Sequence, residues 1–248
     1  MDTEWKDKNF VDWYNNVLRF HPHEVVDYLA SLNLNAKDIF IDFGCGAGTC
    51  LSYAATKVNL AIGIDESSEQ LSQVVSNVHP HQNILLAKVK FQDFNYNFLK
   101  SLLASNPQLN LKADTFFFSK CSARKSLHHL TDQEKESFFK TISPLLAPNA
   151  LFLIEDAIYG FDKNTLEENY SLVLNDAKNY YQDRWPAIEE QFIFMLKHEH
   201  PTDIKTWISI LHNAGLELIF HRQHTSFFGK ILARKSQENF NGQHLGRK

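Results

Sequence analysis

Three glycines spaced by two follow a short apolar run in "IFIDFGCGAGTC", residues 39–50. The run is β-branched and aromatic and predicts a strand, and the loop after it contains Gly44, Gly46 and Gly48. Glycine lets the backbone approach a ligand closely at the carboxyl end of a strand. The segment therefore predicts a ligand-binding loop, and a phosphate, a dinucleotide and a ligand without phosphate are the alternatives.

The spacing of the glycines bears on these alternatives. A phosphate-binding P-loop has the pattern G-x-x-x-x-G-K-[ST], and no lysine and hydroxyl follow at that spacing. A dinucleotide fingerprint has the pattern G-x-G-x-x-G, whereas Thr49 stands at the third glycine position. The P-loop is excluded, and the dinucleotide fingerprint is only weakly matched.

Three acidic residues stand at the ends of three predicted strands. Asp42 precedes the glycine loop, where a carboxylate repels a pyrophosphate but suits a cationic group. Asp65 ends "IGID", where a carboxylate accepts hydrogen bonds from two ribose hydroxyls. Asp93 in "KFQDF" closes the third strand and can accept a hydrogen bond from an adenine amino group. A ligand with an ammonium group, a ribose and an adenine but no phosphate is S-adenosylmethionine.

Strands alternate with helical patterns through most of the chain. The predicted strands are Ile39–Asp42, Asn59–Ile64, Leu85–Phe91, Thr115–Ser119, Leu151–Asp156, Leu216–His221 and Phe227–Ala233. Helices between the first five strands indicate βαβ crossovers and a largely parallel sheet. Only a short link joins the last two strands, which predicts an antiparallel pair because a parallel return needs a dozen or more residues.

The chain is predicted to form a single domain over residues 1–235. Residues 1–36 have helical spacing of apolar residues, and an aromatic-rich helical segment is inserted at about 160–200. We call this second segment the cap insertion, because aromatic helices of this kind can cover a substrate. Residues 236–248 are polar and predict a frayed tail.

The sequence resembles the class I S-adenosylmethionine-dependent methyltransferases from about Ala36 to Tyr159. "IDFGCGAG" is similar to the first motif of that family, D-x-G-x-G-x-G, "GIDES" to its acidic second strand and "QDF" to its adenine-side motif. "SLHHL" and the turn "LLAPNALF" are similar to the segments around its fourth and fifth strands. Asn149 stands where the turn glycine is usual, and asparagine tolerates a positive φ.

The resemblance implies a fold and a set of cofactor contacts. The fold is α/β, a Rossmann-like doubly wound sheet of seven mostly parallel strands with an antiparallel C-terminal pair and the helical cap insertion. The implied cofactor is S-adenosylmethionine. Its methionine end would contact Asp42 at the ammonium group and the Ser119 backbone, and Gly44, Cys45, Gly46 and Gly48 would lie along the methionine and ribose. Asp65 would bind the ribose hydroxyls, Asp93 the adenine amine, and Glu66 and Phe94 would lie beside the adenine. Cys45 is interpreted as a small buried spacer within the loop.

Methyl transfer from a sulfonium needs mainly alignment and exclusion of water, so the sequence does not define a catalytic residue. A general base matters only where the acceptor is protonated at neutral pH. The weak catalytic candidates are His128, Glu155 and Tyr159. Lys120 and Arg124 could contact an anionic acceptor, and Asp156 closes the fifth strand beside the expected crevice.

The acceptor is predicted to be a small molecule, because the aromatic cap insertion suits a lid over a small site. A transfer RNA methyltransferase acting on wobble uridine is an alternative, based on the layout of residues 183–216. A module that binds S-adenosylmethionine without catalysis and a nicotinamide-linked oxidoreductase are further alternatives. The intact motifs argue against the non-catalytic module, and the spacing of the glycines argues against the oxidoreductase.

Composition limits the remaining classes of function. The formal net charge of −4 over 248 residues gives no overall nucleic-acid footprint. We find no membrane-spanning run and no signal peptide, and three cysteines without a CxxC pair predict neither disulfides nor zinc, so a cytoplasmic location is predicted. His198, Glu199 and His200 are residues of types that bind metal ions, but no third ligand stands at a convincing spacing, and no metal is predicted.

Overall fold

The computed structural model describes residues 4–18, 21–77 and 83–237. Its strands are β1 (Ile39–Phe43), β2 (Leu60–Asp65), β3 (Ile84–Lys88), β4 (Phe118–Arg124), β5 (Leu146–Tyr159), β6 (Thr202–Asp203), β7 (Leu216–Thr225) and β8 (Phe228–Lys235). Its α-helices are α1 (Lys8–Val17), α2 (Pro22–Leu29), α3 (Thr49–Ala55), α4 (Ser68–Asn77), α5 (Tyr96–Ala104), α6 (Asp132–Ile142), α7 (Leu166–Tyr181), α8 (Trp185–His198) and α9 (Ile204–Asn213). Most of the predicted polar tail lies outside the described residues.

Seven strands form the sheet in the order β3-β2-β1-β4-β5-β8-β7, and the short β6 pairs with β5. Strands β1 to β5 are parallel, whereas β8 is antiparallel to both β5 and β7. The predicted Rossmann-like sheet and its antiparallel C-terminal pair are confirmed. The chain reverses its direction of winding between β1 and β4, and in such sheets ligands bind at the carboxyl ends of the strands on either side of this point.

Alternating side chains of the sheet build two hydrophobic cores. In β1, Ile41 and Phe43 pack on one face with α5, α6 and α9, whereas Phe40 packs on the other face with α2, α3 and α4. This period of two follows from the pleat of a strand. Strands buried on both faces read as continuous apolar runs, which explains why β1 and β2 are recognisable in the sequence.

The fourth strand differs from its predicted bounds. The sequence predicted Thr115–Ser119, but β4 runs from Phe118 to Arg124. The three consecutive phenylalanines suggested a strand over this earlier segment, although residues 113–115 form a 3-10 turn. The polar residues later in the strand are tolerated because each has a partner: Ser122 bonds Asp42, and Arg124 bonds Glu155.

Two helices, α7 and α8, occupy the predicted cap insertion. Their aromatic side chains form a third apolar cluster with the β7–β8 turn, centred on Tyr181, Trp185, Phe192 and Phe227. Residues of α1 pack against the edge of this cluster. Asn149 has a φ of 63°, so asparagine takes the left-handed conformation expected of the turn.

Candidate functional site

The glycine loop is fixed by backbone hydrogen bonds to the end of β2. The N–H groups of Gly44 and Cys45 both donate to the carbonyl of Ile64 at 2.9 Å. Gly44, Gly46 and Gly48 have φ values of 69°, 52° and 78°, a region that favours glycine. The loop therefore turns tightly over the ends of β1 and β2, and Gly48 leads directly into α3.

Close packing also requires two of these glycines. A Cβ on Gly44 would lie 2.5 Å from the Cβ of Ser126, and one on Gly48 would lie 2.6 Å from Cγ1 of Val74. Such distances are well inside van der Waals contact, which begins at about 3.5 Å for two carbon atoms. The loop is thus pressed against the segment after β4 on one side and against α4 on the other.

Asp65 ties the loop to the second strand. One carboxylate oxygen accepts from the N–H of Gly46 at 2.9 Å, and the other accepts from the N–H of Ser67 at 2.9 Å. Burial raises the pKa of Asp65, and the two backbone hydrogen bonds oppose that rise. Each carboxylate oxygen accepts more than one hydrogen bond, so Asp65 can also receive two ligand hydroxyls.

Asp42 is a buried carboxyl at the cavity wall, with only 3% of its surface exposed. Ser122, its neighbour across the β1–β4 pairing, donates its hydroxyl to Asp42 Oδ1 at 2.5 Å. Burial raises the pKa of Asp42 to about 7, although the Ser122 hydrogen bond lowers it. A cation placed beside this carboxyl would stabilise its ionised form.

One cavity of about 650 Å³ opens at the carboxyl ends of β1, β2 and β4. Six of the residues predicted to bind the cofactor line it together: Asp42, Gly44, Cys45, Gly46, Asp65 and Glu66. The sequence could place these residues because each belongs to a local strand-end pattern.

Four predicted cofactor residues lie outside the cavity lining. Gly48 shapes the loop from behind, at the start of α3. Asp93 is exposed in the 3-10 turn Phe91–Asp93, because β3 ends at Lys88, and Phe94 is fully buried among other phenylalanines. Ser119 is near the opposite end of β4, where its hydroxyl donates to Asp38 at 2.8 Å. The predicted strand-end positions of Asp93 and Ser119 were wrong.

Other residues line the cavity where these were expected. On the adenine side the lining contains Val89, Lys90, Phe91 and Gln92, and at the end of β4 it contains Arg124, Lys125 and Ser126. Lys90 lies 3.7 Å from the carboxylate of Glu66. Correct bounds for β3 and β4 would have indicated these positions, since both groups lie at or directly after the observed ends of their strands.

The N-terminal segment also lines the cavity, which the sequence did not predict. Trp5, Tyr14, Asn15, Asn16 and Leu18 all contribute to its wall. Asn15 Nδ2 lies 2.9 Å from the side-chain oxygens of both Gln70 and Gln73, and donates to each. Helix α1 is therefore joined to α4 along the cavity. Burial raises the pKa of Tyr14 to about 12, so its hydroxyl stays protonated at neutral pH.

The weak catalytic candidates do not line the cavity. Glu155 is buried and accepts from Arg124 Nε at 2.8 Å, with His224 at 3.6 Å. Tyr159 is buried at 2% exposure, and its ring stacks on Phe161. Lys120, proposed for an anionic acceptor, lies in the middle of β4, whereas Arg124 does line the cavity.

His128 lies between two carboxylates. Its Nδ1 contacts Asp156, and its Nε2 lies 3.1 Å from Glu199 Oε2. Burial alone would lower the pKa of His128, but the charge and hydrogen bond of Asp156, together with Glu199, raise it to about 10. A histidine that holds its proton so firmly is a poor general base at neutral pH. The neighbouring His129 lines the cavity, and its Nδ1 lies 3.3 Å from Glu199 Oε1.

The fold and the cavity at its switch point define a Rossmann-like protein of the class I methyltransferase type. Solved structures share this fold. Magnesium protoporphyrin IX methyltransferase from Synechocystis PCC 6803, with bound S-adenosylhomocysteine, is 10% identical with a TM-score of 0.62, over 94% of this chain and 97% of that one. A S-adenosylmethionine-dependent methyltransferase from Clostridium acetobutylicum ATCC 824 is 13% identical with a TM-score of 0.60, over 92% and 98%. A chain solved in complex with the Trm112 methyltransferase activator of Haloferax volcanii is 12% identical with a TM-score of 0.60, over 95% and 97%.

The chain belongs to the methyltransferase domain family, whose model matches residues 17–221. No protein of curated function is significantly similar to it in sequence. The predicted membership of the class I S-adenosylmethionine-dependent methyltransferases is confirmed, and S-adenosylmethionine is the cofactor of that class. Within the described part of the chain, no helix is both long and apolar enough to span a bilayer.

Proposed function

We propose that this protein transfers a methyl group from S-adenosylmethionine to a small-molecule acceptor. The observation that carries the proposal is the joint lining of one cavity by the glycine loop, Asp42 and Asp65. The donor set fits this cofactor, because a cation would stabilise the ionised form of the buried Asp42 carboxyl and a second carboxylate suits ribose hydroxyls. Two carboxylates beside the glycine loop would repel a pyrophosphate.

The residues of the chain would divide the work of binding. Asp42 would face the ammonium group, Asp65 would accept from the ribose hydroxyls, and Val89 to Gln92 would border the adenine. The bound cofactor supplies a methyl group already activated by a sulfonium. Rate enhancement then depends on alignment of the acceptor and on exclusion of water, which the wall formed by α1 supports.

The preference for a small acceptor now rests on the N-terminal segment, because no residue of α7 or α8, the helices of the cap insertion, lines the cavity. Side chains of the N-terminal segment close one side of it, and Arg124 and Lys125 border it at the end of β4. The acceptor would enter between these two walls and meet the neutral hydroxyl of Tyr14.

The three cysteines are free and buried thiols, which supports the proposed cytoplasmic location.

Calorimetric titration with S-adenosylhomocysteine and with NAD tests the cofactor. We expect S-adenosylhomocysteine to bind with a stoichiometry of one and NAD to give no heat of binding. Failure to bind S-adenosylhomocysteine would overturn the proposal, and binding of NAD alone would favour the oxidoreductase.

Transfer of a labelled methyl group into fractions of small metabolites, RNA and protein tests the acceptor. We expect label in the small-metabolite fraction. Label only in RNA would favour the transfer RNA alternative. Cofactor binding without labelling of any fraction would favour a module that binds the cofactor without catalysis.

A further inference from the structure

The fold brings the acid of "HEH" next to the histidine pair of "LHHL". Glu199 follows α8, whereas His128 and His129 belong to the 3-10 turn after β4. The N–H of His200 donates to the carbonyl of His128 at 2.7 Å, which locks the two segments together. The result is a cluster of three side chains at the rim of the cavity. Its residues are His128, His129 and Glu199.

The ligand atoms of the cluster lie at metal-binding distances. Glu199 Oε2 is 3.1 Å from His128 Nε2, and Glu199 Oε1 is 3.3 Å from His129 Nδ1. All three groups offer one ligand atom each within 4.8 Å of one another. Bonds of about 2.1 Å at tetrahedral angles around zinc place neighbouring ligand atoms about 3.4 Å apart. The observed spacings are close to this value.

Asp156 determines which ring nitrogen of His128 faces Glu199. The carboxylate of Asp156 contacts Nδ1 and only accepts hydrogen bonds. Nε2 is therefore the ring atom directed at the Glu199 carboxylate, 3.1 Å away, and it is the atom of His128 that a metal ion could use.

The cluster is held rigidly by neighbouring groups. Asp156 accepts from the backbone N–H groups of Leu127 and Ala157, each at 2.7 Å, in addition to the ring of His128. A carboxylate that orients the second nitrogen of a histidine is typical of metal sites. The Glu199 side chain is 4% exposed and that of His128 is 11% exposed, so neither is a mobile surface group.

We propose that His128, His129 and Glu199 bind one divalent transition-metal ion, with zinc as the ion that fits best, and that Asp156 orients His128 for this role. Two imidazoles and one carboxylate are ligands that zinc accepts, with a fourth position left for water or another oxygen ligand. His129 lines the cavity, so the site borders the space where the proposed reaction would occur. The sequence predicted no metal because only His198 and His200 are close to Glu199 along the chain, whereas His128 and His129 approach it only in the fold. This inference does not depend on the proposed function.

Calorimetric titration of the chelator-treated full chain with zinc chloride tests the site. We expect one zinc ion per chain, weaker binding of manganese, and no detectable binding of magnesium. Glu199→Gln keeps the side-chain shape but should weaken zinc binding at least 100-fold. Asp156→Asn should weaken it by about 10- to 100-fold, the usual effect of losing the group that orients a ligand.

His198→Gln and His200→Gln are the matched controls, because both side chains flank Glu199 and are exposed. We expect their zinc affinity to stay within twofold of the original. Thermal unfolding of each metal-free variant checks that it is folded, and the cobalt spectrum should lack thiolate absorption. No zinc binding, unchanged binding by Glu199→Gln, or loss of binding in the controls would overturn the proposal. Titration of the same samples with S-adenosylhomocysteine tests the proposed function separately.

Discussion

At the scale of single residues, the Asp65 carboxylate both fixes the glycine loop and lines the cavity. Its carboxylate holds the N–H of Gly46 and also lines the space predicted for the ribose. An amide in its place offers an N–H₂ group on one side, where only an acceptor fits. The loop and the ligand therefore depend on the same two oxygen atoms.

We expect Asp65→Asn to weaken the binding of S-adenosylhomocysteine by about 10- to 100-fold, since lost hydrogen bonds to a charged acceptor cost about 1.5–3 kcal/mol each. Calorimetry measures the dissociation constant. Asp93→Asn is the matched control, because Asp93 is exposed and outside the cavity lining. An equal loss of affinity in both variants would contradict the placement of Asp93 outside the binding site.

We expect Asp42 to make the affinity for the cofactor depend on pH. Its pKa is raised by burial to about 7, so the folded protein keeps this proton until the pH rises through 7, whereas the unfolded chain loses it near the ordinary aspartate pKa of 3.8. The stabilisation from this group is present below that lower value and is lost as the pH rises to about 7. A cationic ligand reverses the preference, because it binds to the ionised carboxylate.

We therefore expect the affinity for S-adenosylhomocysteine to rise with pH up to about 7, by at most about tenfold per pH unit, and then to level off. Asp42→Asn should flatten this dependence. Calorimetric titrations between about pH 5.5 and about pH 8.5 measure it, with Asp93→Asn as the control that keeps the original profile. A profile in Asp42→Asn identical to the original would rule out Asp42 as its source.

The glycine loop and the acids that end β1 and β2 could be predicted from the sequence because they are local. Each follows directly from a short buried strand whose apolar run is continuous. The contribution of Asn15 could not be predicted, because it depends on how α1 docks on α4. The contact of Glu199 with His129 likewise depends on how α8 ends beside β4. The predicted ends of the third and fourth strands were wrong, and this caused the misplacement of Asp93 and Ser119.

At the scale of secondary structure elements, α1 is held to α4 by side-chain amides rather than by a large apolar contact. Asn15 donates to two glutamines, and Gln73 in turn donates to Asp12 at 2.9 Å. Ser67 adds a hydrogen bond to the carbonyl of Trp5 at 2.6 Å. This attachment consists of a few polar contacts, so substitution of one residue should alter it measurably.

We expect Asn15→Ala to speed the release of S-adenosylhomocysteine by about 3- to 10-fold, because it removes two hydrogen bonds of about 0.5–1.5 kcal/mol each and loosens one wall of the cavity. Stopped-flow tryptophan fluorescence, to which Trp5 in the cavity wall contributes, measures the rate. Asn9→Ala, at an exposed position of the same helix, should leave the rate unchanged. A release rate unaltered in Asn15→Ala would show that α1 does not retain the ligand.

At the scale of the whole molecule, Lys135 joins α6 to the segment after α8. Its side chain is 1% exposed, and Nζ donates to the carbonyls of Leu130 and His200, each at 2.6 Å. Burial lowers the pKa of Lys135, although Asp132 opposes this effect. The buried ammonium thus bonds two carbonyls from separate segments of the chain.

Lys135→Met should lower the free energy of unfolding by about 2–4 kcal/mol, since the two carbonyls lose their charged donor. Urea unfolding followed by circular dichroism measures the change. Lys140→Met lies on the same helix, where the lysine pairs with Glu136 at 2.5 Å and remains 55% exposed. We expect that control to change stability by less than about 1 kcal/mol. A similar loss in both variants would contradict a structural role for the buried lysine.

The position of β8 within the sheet has a consequence for synthesis on the ribosome. Strand β8 lies between β5 and β7, so translation must proceed beyond residue 235 before β5 can pair with β8. Until then the long β5 presents unpaired N–H and C=O groups, which promote association between nascent chains. A chaperone that shields this edge would therefore raise the yield of the protein, and premature termination before Phe228 would leave fragments prone to aggregation.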